Sequence, residues 1–528
     1  MSRSPLGSHS QGAAIRSLRR ALGAGNVVVE PAALARAETA TYSTDQRVLA
    51  IARPANREQV QACVRIANRY EVPIYPISRG KNWGYGSAVP VRDGSVIVDL
   101  GRMDRILDYS EELAYATVEP GVTQRQLFDF LRAKGSRLWL DTTSSSPEAS
   151  LVGNVVERGH GLTPYADHAG LVSGLEVVLP EGSFIRTGFG RFPKTRLAAL
   201  DPWGVGPSLD GLFSQSNLGI VTQMTVWLMP APEYMMAGFI QLASEGDLAA
   251  ALDAARPLRL DGTIRAGPQF WNEYRSIQRS LAFPWRRTGG RTPLGSALAA
   301  TIASELGIGA WNGVVGLYGS RPQVRDQRAR VVKALSGIVD RMTFVDAAQL
   351  ARAKDSPRVR GMRRMVAFLT GGRESMGMGP ARAYWRKPGG PPGGDHDLDR
   401  DRCGFLWCTA MTPFVGREAL RAARLARTII LRRGFEPDVS MVPIRDRALH
   451  MHISIVYDRD APGHDARALA CSREVGQALA ERGYLPHRLG LHSMGLTEAG
   501  DSAYGDAMKR IRAALDPKGI MAPGRYGA

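Results

Sequence analysis

Pro76-Ile-Ser-Arg-Gly-Lys-Asn-Trp-Gly-Tyr-Gly86 is the stretch on which the reading of this chain turns. It continues the apolar run 72–77, which reads as a strand, and then packs three glycines, Ser78, Asn82 and two cations into nine residues. Glycine lets backbone approach a ligand closely, and successive N–H groups can cradle phosphate. The stretch has neither the Gly-Lys-Ser/Thr ending of a nucleotide phosphate loop nor a G-x-G-x-x-G pattern. Taken alone, it suits an anion-binding loop or an ordinary turn equally.

Working outward, Val48–Ala52 is a short apolar run. Residues 57–70 place Val60, Val64, Ile66 and Ala67 close to helical spacing. Residues 95–100 and 114–118 read as buried strands and 123–133 as a helix. Residues 174–179 and 184–187 flank Pro180-Glu-Gly182 as a hairpin, and 219–228 is a further strand. This mixture is α+β or α/β. Two more loops of small residues, 142–154 and 157–161, suggest a long ligand lying across backbone, such as a dinucleotide, or else ordinary turn chemistry. Prolines near 229–233 mark a boundary. Beyond it, helices at 246–255 and 417–433 alternate with strands at 313–318 and 450–457. Residues 387–401 (KPGGPPGGDHDLDRD) read as a surface or lid loop. Residues 1–45 read as a helical, partly mobile arm.

Composition narrows the function classes. The 528 residues suit about two to four domains. Apolar residues make up 44% and charged residues 22%, as in a folded globular protein. No apolar stretch approaches the roughly 18 residues of a membrane span. The net charge of +18 comes mostly from scattered arginines. Without a dense basic tract carrying aromatics, nucleic-acid binding is not expected. A positive field suits steering of an anionic cofactor or an acidic redox partner. Four cysteines are too few for a disulfide framework and fit no zinc spacing, so buried thiols and no metal are expected. The first residues hold no apolar signal core, which points to the cytoplasm.

PISRGKNWGYG (76–86), VEPGVT (118–123), LWLD (138–141), LVGNVVERGHGLTPYADH (151–168) and SGLEVVLPEG (173–182) resemble the vanillyl-alcohol oxidase / p-cresol methylhydroxylase family of flavoproteins. DGLFSQSNLGIVT (210–222), WLMP (227–230), RPLRL (256–260), HISIVYDR (452–459) and DPKGIMAPGRYG (516–527) extend the resemblance in family order. It implies an α+β, two-domain fold. An FAD-binding domain of the p-cresol methylhydroxylase type would span 45–230 plus about 490–528, after an arm of 1–44. A cap domain with a large antiparallel sheet would span 231–489. FAD contacts are implied at Ser78, Arg79, Gly80, Lys81, Asn82 and Gly86, and at Glu119, Pro120, Gly121 and Val122. They are also implied at Ser144, Ser145, Gly153, Asn154, Arg158, Gly219, Ile220, Val221 and Arg525.

The family binds a para-substituted phenol through two tyrosines and an arginine, and a hydride leaves the para side chain for flavin. An anionic oxygen in a dry pocket requires strong donors and a positive charge. By the resemblance, Tyr85 is the first tyrosine and Arg488 the arginine, and His487 takes the place of the second tyrosine. His450 matches the first of a pair of histidines, Met451 stands at the second, and His452 lies on the same face of the strand as His450. An aspartate of oxidase members gives way to the serine run 144–146, with Glu148 the nearest acid. Phe405 stands where many members attach flavin through histidine, and Asp397 where others use tyrosine. Non-covalent FAD is therefore expected, with His396 and Tyr384 as the remaining candidates for a link. The implied activity is hydride removal from a para-substituted phenol or related aromatic. A non-phenolic alcohol or amine, and flavin binding without turnover, are the competing readings. The implied acceptor is O2 or an electron-transfer protein, and a homodimer is expected.

Overall fold

The computed structural model describes residues 5–392, 396–497 and 501–527. Its first sheet runs in the order Val27–Val28, Val48–Ala52, Ser95–Asp99, Ile74–Ile77, and the last three strands are parallel. Parallel neighbours need a crossover. The helix Arg57–Tyr70 supplies it, capped by Asn56, whose side chain accepts from the Gln59 N–H at 2.9 Å. Its buried face is Val60, Cys63, Val64 and Ala67.

The N-terminal stretch, read as a helical arm, contains the helix Pro5–Leu22, which buries Ala14, Leu18 and Leu22 in the same core as Arg57–Tyr70. Spacings of four residues put the three on one stripe. A second sheet, Ile106–Ser110, Tyr115–Val118, Ile220–Trp227, Val172–Val178, Phe184–Arg186, is antiparallel and contains the expected hairpin, with Val178 opposite Phe184.

The third sheet has seven antiparallel strands in the order Arg341–Val345, Tyr234–Leu242, Trp311–Gly319, Ala266–Asn272, Asp438–Val442, Ala448–Asp458, Cys403–Pro413. The helices Asp247–Leu260, Gly416–Arg432 and His464–Ala480 add apolar residues to a core on this sheet. The end of the chain returns to the first sheet. Ile74 N–H donates to the Ile520 carbonyl and Ala522 N–H to the Ile74 carbonyl, both at 2.8 Å. All four cysteines are free and buried. No helix among the described residues is long and apolar enough to cross a membrane.

Candidate active site

The loop 78–86 leaves the strand Ile74–Ile77 and passes under the third sheet. Gly84 has φ +80°, and a Cβ there would lie 2.5 Å from Trp407 Cδ1. Glycine is therefore required for this close approach. Ser78, Arg79, Gly80, Lys81 and Asn82 line one side of a cleft. Ser144, Ser145, Gly153, Asn154 and Arg525 line it further along. Gly219, Ile220 and Val221 line an adjoining cavity that shares Tyr75, Ser78, Glu157 and Arg525 with the first. The cleft runs past backbone and glycine over the length of two adjoining cavities, which fits an extended ligand such as a dinucleotide.

Other residues implied as cofactor contacts lie outside the lining of both cavities. Glu119 is committed to Arg105, accepting from its backbone N–H at 2.9 Å and from Nη2 at 2.8 Å. Pro120 accepts from Ser150 Oγ at 2.6 Å. Gly121 sits where a Cβ would be 2.7 Å from the Met103 carbonyl, and Val122 is in the core. Arg158 donates to Ser214 Oγ at 3.0 Å, and Gly86 abuts Leu491.

Tyr85 and Arg488 come together on the cleft. The Arg488 guanidinium carbon lies 4.3 Å from the Tyr85 ring centroid. Arg488 donates from Nη2 to Asn82 Oδ1 at 2.5 Å, and its Nε is 3.4 Å from Glu157 Oε2. Burial raises the Tyr85 pKa to about 12 against the pull of Arg488. The phenol therefore stays protonated and able to donate. Burial opposes ionisation of Glu157, but Arg525 and Arg488 outweigh it and hold the group below the usual carboxylate range.

Four imidazoles meet beside this pair. His450 and His452 project from the strand Ala448–Asp458, His487 precedes Arg488, and His160 comes from the loop after the helix Leu151–Val156. The His450 and His487 rings lie 4.4 Å apart. His160 Nδ1 faces the Gly161 carbonyl at 3.0 Å, which only accepts, so Nδ1 carries the proton. His160 Nε2 must then accept from His452 Nε2–H at 2.9 Å. Burial depresses all four pKa values, His450 to about 3. The cluster is neutral, and the Nδ1 atoms of His450 and His487 have no hydrogen-bond partner among the described residues. The ring nitrogens of His160, His450 and His452 lie within 4.8 Å of one another, a donor set that also suits a divalent transition ion. The expectation of no metal rested on cysteine spacing and did not weigh these histidines. His160 was missed because only folding brings its loop against the strand.

The third sheet and its helices close the far wall. Phe405 and Trp407 give it an apolar face, and Trp407 stacks on Tyr85 at 6.4 Å between ring centroids. Arg275, Arg279 and Arg382 stand on the same wall, with no motif in the sequence to announce them. Neither His396 nor Tyr384 lines the cleft. Their rings are 5.0 Å apart, and Tyr384 donates to Asp401 at 2.6 Å. The stretch 387–401 (393–395 lie outside the described residues) is pinned beside the loop: Asp397 pairs with Lys81 at 2.7 Å, and Asp399 accepts from Ser87 Oγ at 2.8 Å. Glu148 is held by Arg125, which donates from Nε at 2.7 Å.

Residues 48–188 match a domain family described as FAD binding domain, and 448–526 one described as FAD linked oxidases, C-terminal domain. The chain is 42% identical to a 1'-carboxy-chondrochloren decarboxylase from Chondromyces crocatus, over 97% of this chain and 96% of that protein. It is 31% identical to the 4-cresol dehydrogenase [hydroxylating] flavoprotein subunit of Pseudomonas putida, over 97% and 95%. A crystal structure of p-cresol methylhydroxylase with substrate bound superposes with a TM-score of 0.88 at 29% identity, covering 98% of this chain and 97% of that one. A 4-ethylphenol oxidase from Gulosibacter chungangensis in complex with isoeugenol gives 0.89 at 29%, with the same coverage. The loops that line the cleft are those of the matched FAD domain, so the chain is an enzyme of the vanillyl-alcohol oxidase / p-cresol methylhydroxylase family of FAD-dependent oxidoreductases.

Proposed function

We propose that the enzyme oxidises a para-substituted phenol, held as its phenolate between Tyr85 and Arg488. The observation that carries this reading is the guanidinium 4.3 Å over the Tyr85 ring on the wall of the cleft that fits FAD. Bound FAD supplies a hydride acceptor. Tyr85 donates a hydrogen bond to the phenolate oxygen, and Arg488 supplies the positive charge. Arg488 favours the ionised phenol, whose proton leaves to solvent as the substrate binds, and the neutral imidazoles of His450 and His487 stay uncharged beside it. Phe405 and Trp407 keep water from the ring. With the phenol ionised, ring electrons assist departure of a hydride from the benzylic carbon, leaving a quinone methide. Anaerobic mixing of the holoenzyme with 4-alkylphenols tests the reading. Bleaching of the oxidised-flavin band supports it, and Arg488→Ala should slow that bleaching by about 10²–10³-fold. An intact band with every phenol moves the substrate to the non-phenolic alternative.

A second reading of the product follows from the relative named a decarboxylase. If the para side chain carries a carboxylate on the carbon next to the benzylic position, the quinone methide can lose CO2. The broken C–C bond gives its electron pair to a new C=C bond, and the ring returns to phenolate. This outcome requires no added water and no acidic base, which suits the serines at 144–146. Carboxyl-labelled N-acetyltyrosine should release one labelled CO2 per flavin reduced. Flavin reduction with the label retained would leave simple dehydrogenation or hydroxylation.

A further inference from the structure

Three guanidinium groups share the cap wall of the cleft. Arg275 and Arg279 lie one turn apart on the helix Glu273–Ser280, and Arg382 approaches from another segment. A single buried carboxylate, Asp438, bonds to both Arg275 and Arg382. Arg275 also donates to the His452 carbonyl at 3.2 Å, and Arg382 to Ser454 Oγ at 3.1 Å. Arg279 is different. Its guanidinium lies 5.1 Å from the Trp271 ring centroid, and its Nε and Nη1 have no hydrogen-bond partner among the described residues. Its charged neighbours are chiefly Arg382 and Arg275, which outweigh Asp438, with Arg364 adding further positive charge. Three cations therefore share one anion in a place sheltered from water. An uncompensated buried charge is costly, and such a site is satisfied when a ligand brings the missing negative charge.

We propose that Arg279, flanked by Arg275 and Arg382, receives a carboxylate carried on the para side chain of the substrate. The proposal rests on the phenol reading and extends it. Trp407 connects the two ends: its ring stacks on Tyr85 at 6.4 Å and lies 5.9 Å from the Arg382 guanidinium carbon. An aromatic ring bound at Tyr85 can direct its side chain along this indole to Arg279. The planar guanidinium fork matches a carboxylate in two parallel hydrogen bonds.

Four ligands test the two readings separately: 3-(4-hydroxyphenyl)propionate, its amide, 3-phenylpropionate and its amide. Each is titrated into the holoenzyme with its flavin already reduced and without oxygen, so that no ligand turns over, and its dissociation constant is read by calorimetry. Each acid should bind at least about tenfold more tightly than its amide. In Arg279→Met that preference should collapse to within about twofold, while Arg279→Lys should keep part of it. Equal binding of acid and amide by the wild type overturns the proposal without recourse to any variant. So does a preference that survives in Arg279→Met, or a variant that loses only FAD affinity, which would assign the guanidinium to the cofactor. The comparison of hydroxylated with unhydroxylated rings judges the phenol reading independently. If phenylpropionate binds as well as its hydroxylated form but better than its amide, the phenol reading fails and the carboxylate receptor stands.

Discussion

At Tyr85, burial and a neighbouring cation act in opposite directions, and burial prevails. The hydroxyl is thus a donor over the whole working pH range. Tyr85→Phe should weaken phenol binding about fivefold to tenfold, the value of one hydrogen bond near 1 kcal/mol, measured by titration of the oxidised enzyme. His450 gives a pH signature. Burial lowers its folded pKa to about 3, whereas in the unfolded chain it titrates near about 6.5. The unfolded state therefore binds the proton first as pH falls. The contribution of His450 is complete above about pH 6.5 and is lost progressively toward about 3. Thermal melts at pH 7 and 5 should show a smaller drop for His450→Gln than for the wild type. Individual residues were legible where they sit in a motif: Tyr85, Arg488 and the His450/His452 alternation were all visible in the sequence. His160 and Arg279 were not, because His160 is completed by His452, 292 positions later, and Arg279 by Arg382 on a separate segment.

Among the elements, the strand Asp438–Val442 carries the most consequential charge. Asp438 joins Arg275 of one segment to Arg382 of another. Asp438→Asn would leave two guanidinium groups without their counter-ion and should cost about 3–5 kcal/mol, read as a lowered denaturant midpoint. Gly84 is equally exacting, because its backbone has φ +80° against Trp407. Gly84→Ala should displace the indole and reduce both stability and the fraction of FAD retained on purification. Local elements were readable in advance: the crossover helix has its Asn56 cap and its apolar stripe, and the hairpin at 172–186 has its Pro-Glu-Gly turn. The order of the seven-stranded sheet was not, since Ala266–Asn272 pairs with Asp438–Val442 across more than one hundred and fifty residues. Local patterns carry no information about such partners. The stretch 387–401 was read as a surface or lid loop from its composition, and Asp397 and Asp399 fasten its described end to Lys81 and Ser87.

For the whole molecule, bound FAD should stabilise the fold by mass action. At about 100 times its dissociation constant the gain is about 2.7 kcal/mol, seen as a rise in melting temperature when apoenzyme is reloaded. We expect the flavin to be non-covalent, because Phe405 lines the cleft while Tyr384 and His396 do not. Acid precipitation should leave the yellow colour in the supernatant, and a coloured pellet would mean a covalent link. The division of the chain into a cofactor half and a cap half was foreseeable from the family motifs, whereas the docking of the N-terminal helix was not. Its apolar stripe is short and gives no hint of the surface it covers.

The closing segment brings one further consequence. Arg525 reaches Tyr75 at 2.7 Å and pairs with Glu157, 368 positions earlier, and Ile520 bonds to Ile74. During synthesis on the ribosome, the wall of the cofactor cleft therefore stands open until residue 525 has emerged. Flavin loading is expected to follow release of this segment, and a chain truncated just before residue 516 should stay colourless on purification, whereas a yellow truncated protein would show that the segment is dispensable.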